Sequence, residues 1–294
     1  MNYLCHILTL ACIFSVLSIS LNLVLGHGGV LTLAHAALFG IGAYSSAILS
    51  LHFHCPFLLG WVLSGVICAV IGAVIAYPSL RIHGDTFVVA TFSLQVIIFS
   101  ILNNWHEVTG GPMGIAGIQR PVILGWRVDS AGEFLALAIL CVCFAQFLAG
   151  RLISSPFGLV LHTIREDEVV AEVAGKNTLR FKVSSFAVSS ALAGAAGGFY
   201  AHYANYIDPT SFTVMESIFI ISIVVIGGAG SLWGPVVGAV VLVSLPELLR
   251  FVGMPSSVAA NIRQMIYAGA LVACMLWRPQ GLIGEFSFRR NENS

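Results

Sequence analysis

Apolar residues run almost unbroken through long stretches of this chain, at about 3–25, 56–79, 84–103, 132–150, 180–203, 215–233 and 263–278, and polar residues collect between them. A hydrocarbon layer about 30 Å thick takes about 20 helical residues to cross, so runs of this length predict membrane-spanning helices. Two shorter runs, 35–52 and 235–250, follow glycine-rich breaks and are predicted to be helices as well. The expectation is an all-α polytopic transmembrane bundle, a single domain over 1–294, with roughly nine crossings and with helices broken at glycine.

Composition agrees with the pattern: 58% of the residues are hydrophobic and only 9% are charged, against about 25% charged in ordinary soluble domains. Formal net charge is zero, and no basic run resembles a phosphate-binding arm, so nucleic acid is not an expected partner. The seven cysteines lie mostly inside apolar runs, where cysteine acts as a small hydrophobe, and no disulfide framework is expected. No Lys or Arg precedes Arg81, so the first apolar run reads as a retained membrane helix and not as a cleaved leader.

Charge placement orients the bundle. With 151–182 in the cytoplasm, nine basic residues fall inside (Arg81, Arg151, Arg165, Lys176, Arg180, Lys182, Arg278, Arg289, Arg290) and four outside (Arg120, Arg127, Arg250, Arg263). That asymmetry places the C-terminus in the cytoplasm, and an odd number of crossings then places the N-terminus outside.

The two longest polar connections then lie on opposite faces. Residues 103–131 are external and rich in turn formers ("TGGPMGIAG"), while 151–182 carry an unusual concentration of charge in "IREDEVVAEVAGKN". This cytoplasmic stretch reads as a helix. Ser155 with Pro156 offers one start, Thr163 with Glu166 three residues on offers a capping box as a stronger one, and Gly175 offers a stop. Val169, Val170, Val173 and Ala174 form an apolar stripe, and Ala171 and Gly175, four apart, allow close approach to a partner. Plain solvation of a loop helix and a docking surface both remain open.

The glycine breaks invite a second pair of readings. Gly26, Gly28 and Gly29 interrupt one apolar run and Gly227, Gly228 and Gly230 another, and the blocks around them, 24–43 and 225–239, are weakly alike. Unwound backbone there would offer N–H groups and carbonyls to a polar solute on a translocation path; close helix packing is the alternative. Asp85 either caps the helix starting at Thr86 or lies with Thr86 on that path. Glu216 is expected near the outer end of a helix, and Glu247 with Arg250 as a local ion pair.

Other chemistry is scarce. The only Gly-Lys pair, Gly175–Lys176, lacks the upstream glycine and following hydroxyl of a phosphate-cradling loop, so ATP, if used, is hydrolysed by another polypeptide. Hydroxyl residues lack a paired base and acid, so no catalytic residue is expected. His52, His54 and Cys55 have no second ligand cluster, and neither metal nor cofactor is expected.

Seven blocks in order carry a resemblance: "LNLVLGHGGVLTLAHAALFGIGAY", "LRIHGDTFVVATF", "NNWHEVTGGPMGI", "IREDEVVAEVAGKN", "AGAAGGFYAHY", "GGAGSLWGPVVGA" and "RPQGLIG". Together they resemble the LivM-type permeases of branched-chain amino-acid ABC importers. The resemblance implies an ATP-driven importer subunit in the bacterial cytoplasmic (inner) membrane. Its partners would be a LivH-type permease paralogue, two ATP-binding subunits, an extracytoplasmic solute-binding protein, membrane lipid and an amino-acid substrate. It also implies that 154–178 is the counterpart of the family's EAA loop, a cytoplasmic coupling helix. The contact surface would comprise Arg165, Glu166, Asp167, Glu168, Ala171 and Gly175, although Val169, Val170 and Ala171 stand where the EAA triplet would be. Urea or short-chain amides are alternative solutes, and an ion-coupled secondary transporter or channel is the alternative of another class.

Overall fold

The computed structural model describes residues 2–80, 85–123, 126–250, 269, 272 and 281–283. Helix α1 (Asn2–Asn22) continues into a π-helical turn, Leu23–His27, and is followed by α2 (His35–His52), α3 (Phe57–Ser79), α4 (Asp85–Asn104) and the single turn α5 (His106–Thr109). After the strands β1 (Ile115–Ala116), β2 (Val122–Ile123) and β3 (Trp126–Arg127) come α6 (Ala131–Ile153), α7 (Pro156–Glu166), α8 (Glu168–Val173) and α9 (Thr178–Ala204). Strand β4 (Tyr206–Ile207), α10 (Val214–Gly227) and α11 (Gly234–Arg250) complete the described elements. The protein is an all-α, polytopic membrane bundle; its strands only pin loops, β1 antiparallel to β4 and β2 to β3.

Among the described residues, four stretches are long and apolar enough to cross a membrane: Tyr3–His27, Phe57–Ser79, Thr86–Asn104 and Ala131–Ile153. Helices α10 and α11 are shorter and apolar, and the apolar run at 263–278 falls almost wholly outside the described residues. Two expectations change. The run 215–233 does not continue as one helix, because Gly228 (φ 118°) ends α10 and residues 228–233 form a loop. The charged segment 154–178 is not one helix from Thr163 to Gly175 but two, broken at Asp167 in extended backbone. The Asp167 carboxylate accepts from the N–H groups of Val169 and Val170 and so starts α8. An aspartate competes with helical backbone for such N–H groups, and here it wins. Thr163 is no cap: it lies inside α7, its hydroxyl donating to the Leu159 carbonyl. Gly175 (φ 75°) does end the segment, with Lys176 N–H turned back to the Ala171 carbonyl.

Helix α9 holds the bundle together, packing most extensively on α3 and α2. It is built from Ala, Gly and Ser along "SSALAGAAGG". Small residues bring backbones together where no hydrophobic effect separates protein from lipid. A Cβ on Gly42 of α2 would collide with the Gly194 carbonyl of α9, and one on Gly197 with the Phe39 carbonyl. Helix α1 is likewise enclosed, with 72% of its most apolar window buried against 17% for α6, which leaves α6 as an outer helix.

Because the chain between the π-turn and His35 is not helical, α2 begins inside the protein, and the N–H groups of its first turn need partners there. They find them on other helices. Ala36 N–H donates to Ser217 Oγ of α10 (2.9 Å) and Ala37 N–H to Gln95 Oε1 of α4 (2.7 Å). Gln95 Nε2 in turn donates to the Phe212 carbonyl (2.7 Å), while Leu33 N–H meets Thr91 Oγ1 (3.2 Å). Gln95, Thr91 and Ser217 are fully buried. Replacing Gln95 with leucine would strand a buried N–H and a buried carbonyl, each worth about 1–3 kcal/mol, so a loss of about 2–6 kcal/mol is expected. A thermal or denaturant titration of the purified protein in detergent checks it.

Candidate functional site

The two glycine breaks meet. At the end of α1, Asn22 reaches across to the α10–α11 loop: its Nδ2 donates to the Ser231 carbonyl (2.8 Å) and its Oδ1 accepts from Gly230 N–H (2.8 Å). Gly26 sits against this clamp, where a Cβ would overlap Asn22 Oδ1 and come within 2.5 Å of Gly230 N. Gly26, Gly28, Gly227, Gly228 and Gly230 are buried and Gly29 is exposed. The segment 281–283 closes the junction from the other side, Leu282 N–H donating to the Ile226 carbonyl (2.8 Å) and Ile283 N–H to that of Gly227 (3.0 Å). Ser185 and Ser189 of α9 donate to the carbonyls of Leu23 (3.4 Å) and Ser20 (2.6 Å). Carbonyls freed by the irregular turn are thus taken up by protein, as an apolar surrounding demands.

Onto this junction comes the charged segment 154–178. Arg165, from the last turn of α7, extends its guanidinium to the Gly26 carbonyl. Its aliphatic stem lies over Gly29, at which a Cβ would be 2.9 Å from Arg165 Cγ. Gly29 has φ 67°, a conformation that glycine adopts without strain. Burial lowers the guanidinium pKa below its ordinary value while Glu166 opposes the shift; arginine nevertheless stays charged at neutral pH. Arg165 therefore ties a loop helix to a break between membrane helices by a charge-assisted hydrogen bond.

The remaining residues singled out in the sequence divide by orientation. Glu168 pairs with Lys182 at the start of α9 (2.6 Å), both largely covered, and Ala171 is buried. Together with Thr178 Oγ1 donating to Glu172 (3.1 Å), these contacts fasten α8 to α9. Glu166, Asp167 and Gly175 are exposed, and so are Val169, Val170 and Val173, the last 85% exposed. The segment thus has an inner face of Arg165, Glu168 and Ala171 and an outer face of Glu166, Asp167, three valines and Gly175. Thr86 is exposed at the start of α4; the side chains of Asp85, Glu247 and Arg250 lie outside the described residues, so neither the Asp85 cap nor the Glu247–Arg250 pair is described. Glu216 is half-buried in the first turn of α10. Sequence reasoning passed over Asn22, whose signal was a lone amide in an otherwise apolar run one turn ahead of the first glycine.

Among the described residues no group of three His, Cys, Asp or Glu side chains is placed to hold a metal ion. The junction brings together the Arg165 tie, two packed glycine breaks and an outward apolar face.

The model of the family described as "Branched-chain amino acid transport system / permease component" matches residues 3–276. The chain is 32% identical, over 94% of its length and 69% of the relative's, to the high-affinity branched-chain amino acid transport system permease protein LivM of Escherichia coli K12. It is 25% identical, over 78% of the chain and 68% of the relative, to the probable LivM of Methanocaldococcus jannaschii. To LivH of Salmonella typhimurium it is 25% identical, over 94% of the chain and 92% of that protein. No solved structure matches the chain.

Proposed function

From the premise that the chain belongs to the branched-chain amino acid permease family, as a LivM-type member, we propose that it forms half of the translocation path of an ATP-driven importer. In this reading the chain takes up branched-chain, hydrophobic amino acids across the bacterial inner membrane. A LivH-type permease supplies the other half, two ATP-binding subunits supply the energy, and an extracytoplasmic binding protein delivers the solute. The observation that carries the coupling is the bond from Arg165 to the Gly26 carbonyl. Force applied to α7 and α8 from the cytoplasm reaches the glycine junction through that side chain without crossing a flexible loop.

The docking face in this proposal is the outer one. Val169, Val170 and Val173 are exposed on a helix read as lying in water, and an apolar stripe rimmed by Glu166 and Asp167 fits a groove on another protein. Arg165, Glu168 and Ala171 act from behind, holding that face in position. Replacing Val173 with glutamate puts an unpaired charge into the interface, at a cost of at least about 1–3 kcal/mol. Co-purification of the ATP-binding subunits with the permease pair should accordingly fall about fivefold or more.

Reconstitution tests the whole reading. Uptake of labelled leucine into vesicles should need the partner permease, the ATP-binding subunits, the binding protein and ATP together. Uptake by this chain alone in ATP-free vesicles would place it among ion-coupled transporters or channels. A system that takes up urea or acetamide in place of leucine would correct the solute and leave the coupling intact.

A further inference from the structure

At the end of the bundle opposite the glycine junction lies a cavity of about 130 Å³, lined by Ser50, His54, Cys55, Phe57, Arg120 and His202 among others. It opens beneath the α2–α3 turn and the loop before β2, the face read from charge as extracytoplasmic. Such a volume is many times what one water needs. Its walls are of two kinds: Pro56, Phe57 and Val122 are apolar, while Arg120, His54 and Gln119 are polar.

The polar wall is built. His202 is buried and its Nδ1 lies 2.6 Å from the Gln119 carbonyl, which can only accept, so this nitrogen carries the proton. The other, Nε2, then accepts from Ser46 Oγ (3.1 Å). With both nitrogens engaged, His202 holds the backbone at Gln119 and so sets the position of Arg120. The guanidinium is steadied by Asp129, whose carbonyl accepts from Nη1 at 2.5 Å and whose carboxylate lies 3.6 Å away. Among the described residues nothing else binds it, which leaves N–H donors of the planar fork for a ligand. Phe57 stands edge-on to the His202 ring, centroids 4.9 Å apart, and forms the apolar side.

We propose that this cavity binds small aliphatic carboxylates, the carboxylate on the Arg120 guanidinium and the hydrocarbon against Pro56, Phe57 and Val122. A planar guanidinium matches a carboxylate in charge and geometry, and a phenyl ring beside it selects an apolar tail over a second charge. That the imported amino acid is one such ligand rests on the function proposed above; the binding itself does not.

Cys55 lines the cavity and reports on it. Thiol modification at Cys55 can be followed by mass spectrometry in the purified, otherwise unaltered chain. One reagent is an anionic sulfonate methanethiosulfonate and the other its cationic trimethylammonium counterpart, each normalised to its rate with a free thiol. A guanidinium lining the same cavity should favour the anionic reagent by roughly tenfold. Isovalerate should slow the modification and isoamylamine should not. Leucine should protect as isovalerate does, and leucinamide should fail. Arg120→Gln should remove both the charge preference and the protection, and Arg120→Lys should keep the preference. Equal protection by the amine, no protection by isovalerate, or protection surviving in Arg120→Gln would overturn the site. Protection by isovalerate in a chain that proves not to transport leucine would uphold the site and count only against the function.

Discussion

Replacing Arg165 with alanine should leave the ATP-binding subunits attached yet lower ATP-driven uptake by about tenfold or more, because one charge-assisted hydrogen bond to a carbonyl is worth about 1.5–3 kcal/mol. The carbonyl concerned belongs to Gly26, in the π-helical turn that ends α1. Without the guanidinium it loses that partner, and the contact of the stem with Gly29 is lost as well. Attachment survives because Arg165 faces inward and the exposed valines of α8 are untouched. Solute carried per ATP hydrolysed is therefore the informative ratio: it should fall, while subunit stoichiometry stays constant. Arg165→Lys keeps the charge without the planar fork and should fall between the two. Unchanged uptake in Arg165→Ala would show that the tie is packing alone.

An effect of another kind is expected at Gly197. Leucine there should abolish folding or reduce the protein in the membrane severely, since overpacking alone costs about 1–3 kcal/mol and here the obstacle is backbone. A Cβ would overlap the Phe39 carbonyl and lie 2.7 Å from Ala43 N, and neither can move away as a flexible side chain could. Gly175→Leu is the internal control for size: nothing lies within 4 Å of a Cβ there, so only the strain of φ 75° remains, about 1–3 kcal/mol. Fluorescence-detected gel filtration of tagged variants in detergent separates the outcomes. A monodisperse, fully abundant Gly197→Leu protein would contradict the packing described for α2 and α9.

Helix positions were legible because each apolar run had to match membrane thickness, and α2, α3, α4 and α6 begin and end within three residues of the stretches read from the sequence. Less legible was where α10 ends, since "IGGAGSLWG" stays apolar beyond Gly227 and hydropathy does not register a backbone at φ 118°. Nor did the break at Asp167 show: the sequence offered a capping box at Thr163, and which of two competing caps is used depends on tertiary contacts. In the structure the Glu168–Lys182 pair fixes α8 on α9, and that contact spans fourteen positions. The bond from Arg165 to Gly26 spans 139 positions and the Asn22 clamp more than 200, distances at which local pattern carries no information. What the pattern did mark was the pair of glycine breaks and the charged loop, without indicating that one rests on the other.

Cross-linking from the outer face of α8 addresses the central claim most directly. A single cysteine at position 173, in a chain whose own cysteines are replaced, would be oxidised against single cysteines placed along the ATP-binding subunit in the assembled complex. The expected result is a one-to-one adduct that stops uptake and releases it again on reduction. A complex that transports leucine at the expense of ATP yet yields no adduct from position 173, or from 169 and 170 beside it, would contradict the assignment of α7 and α8 as the place where force enters.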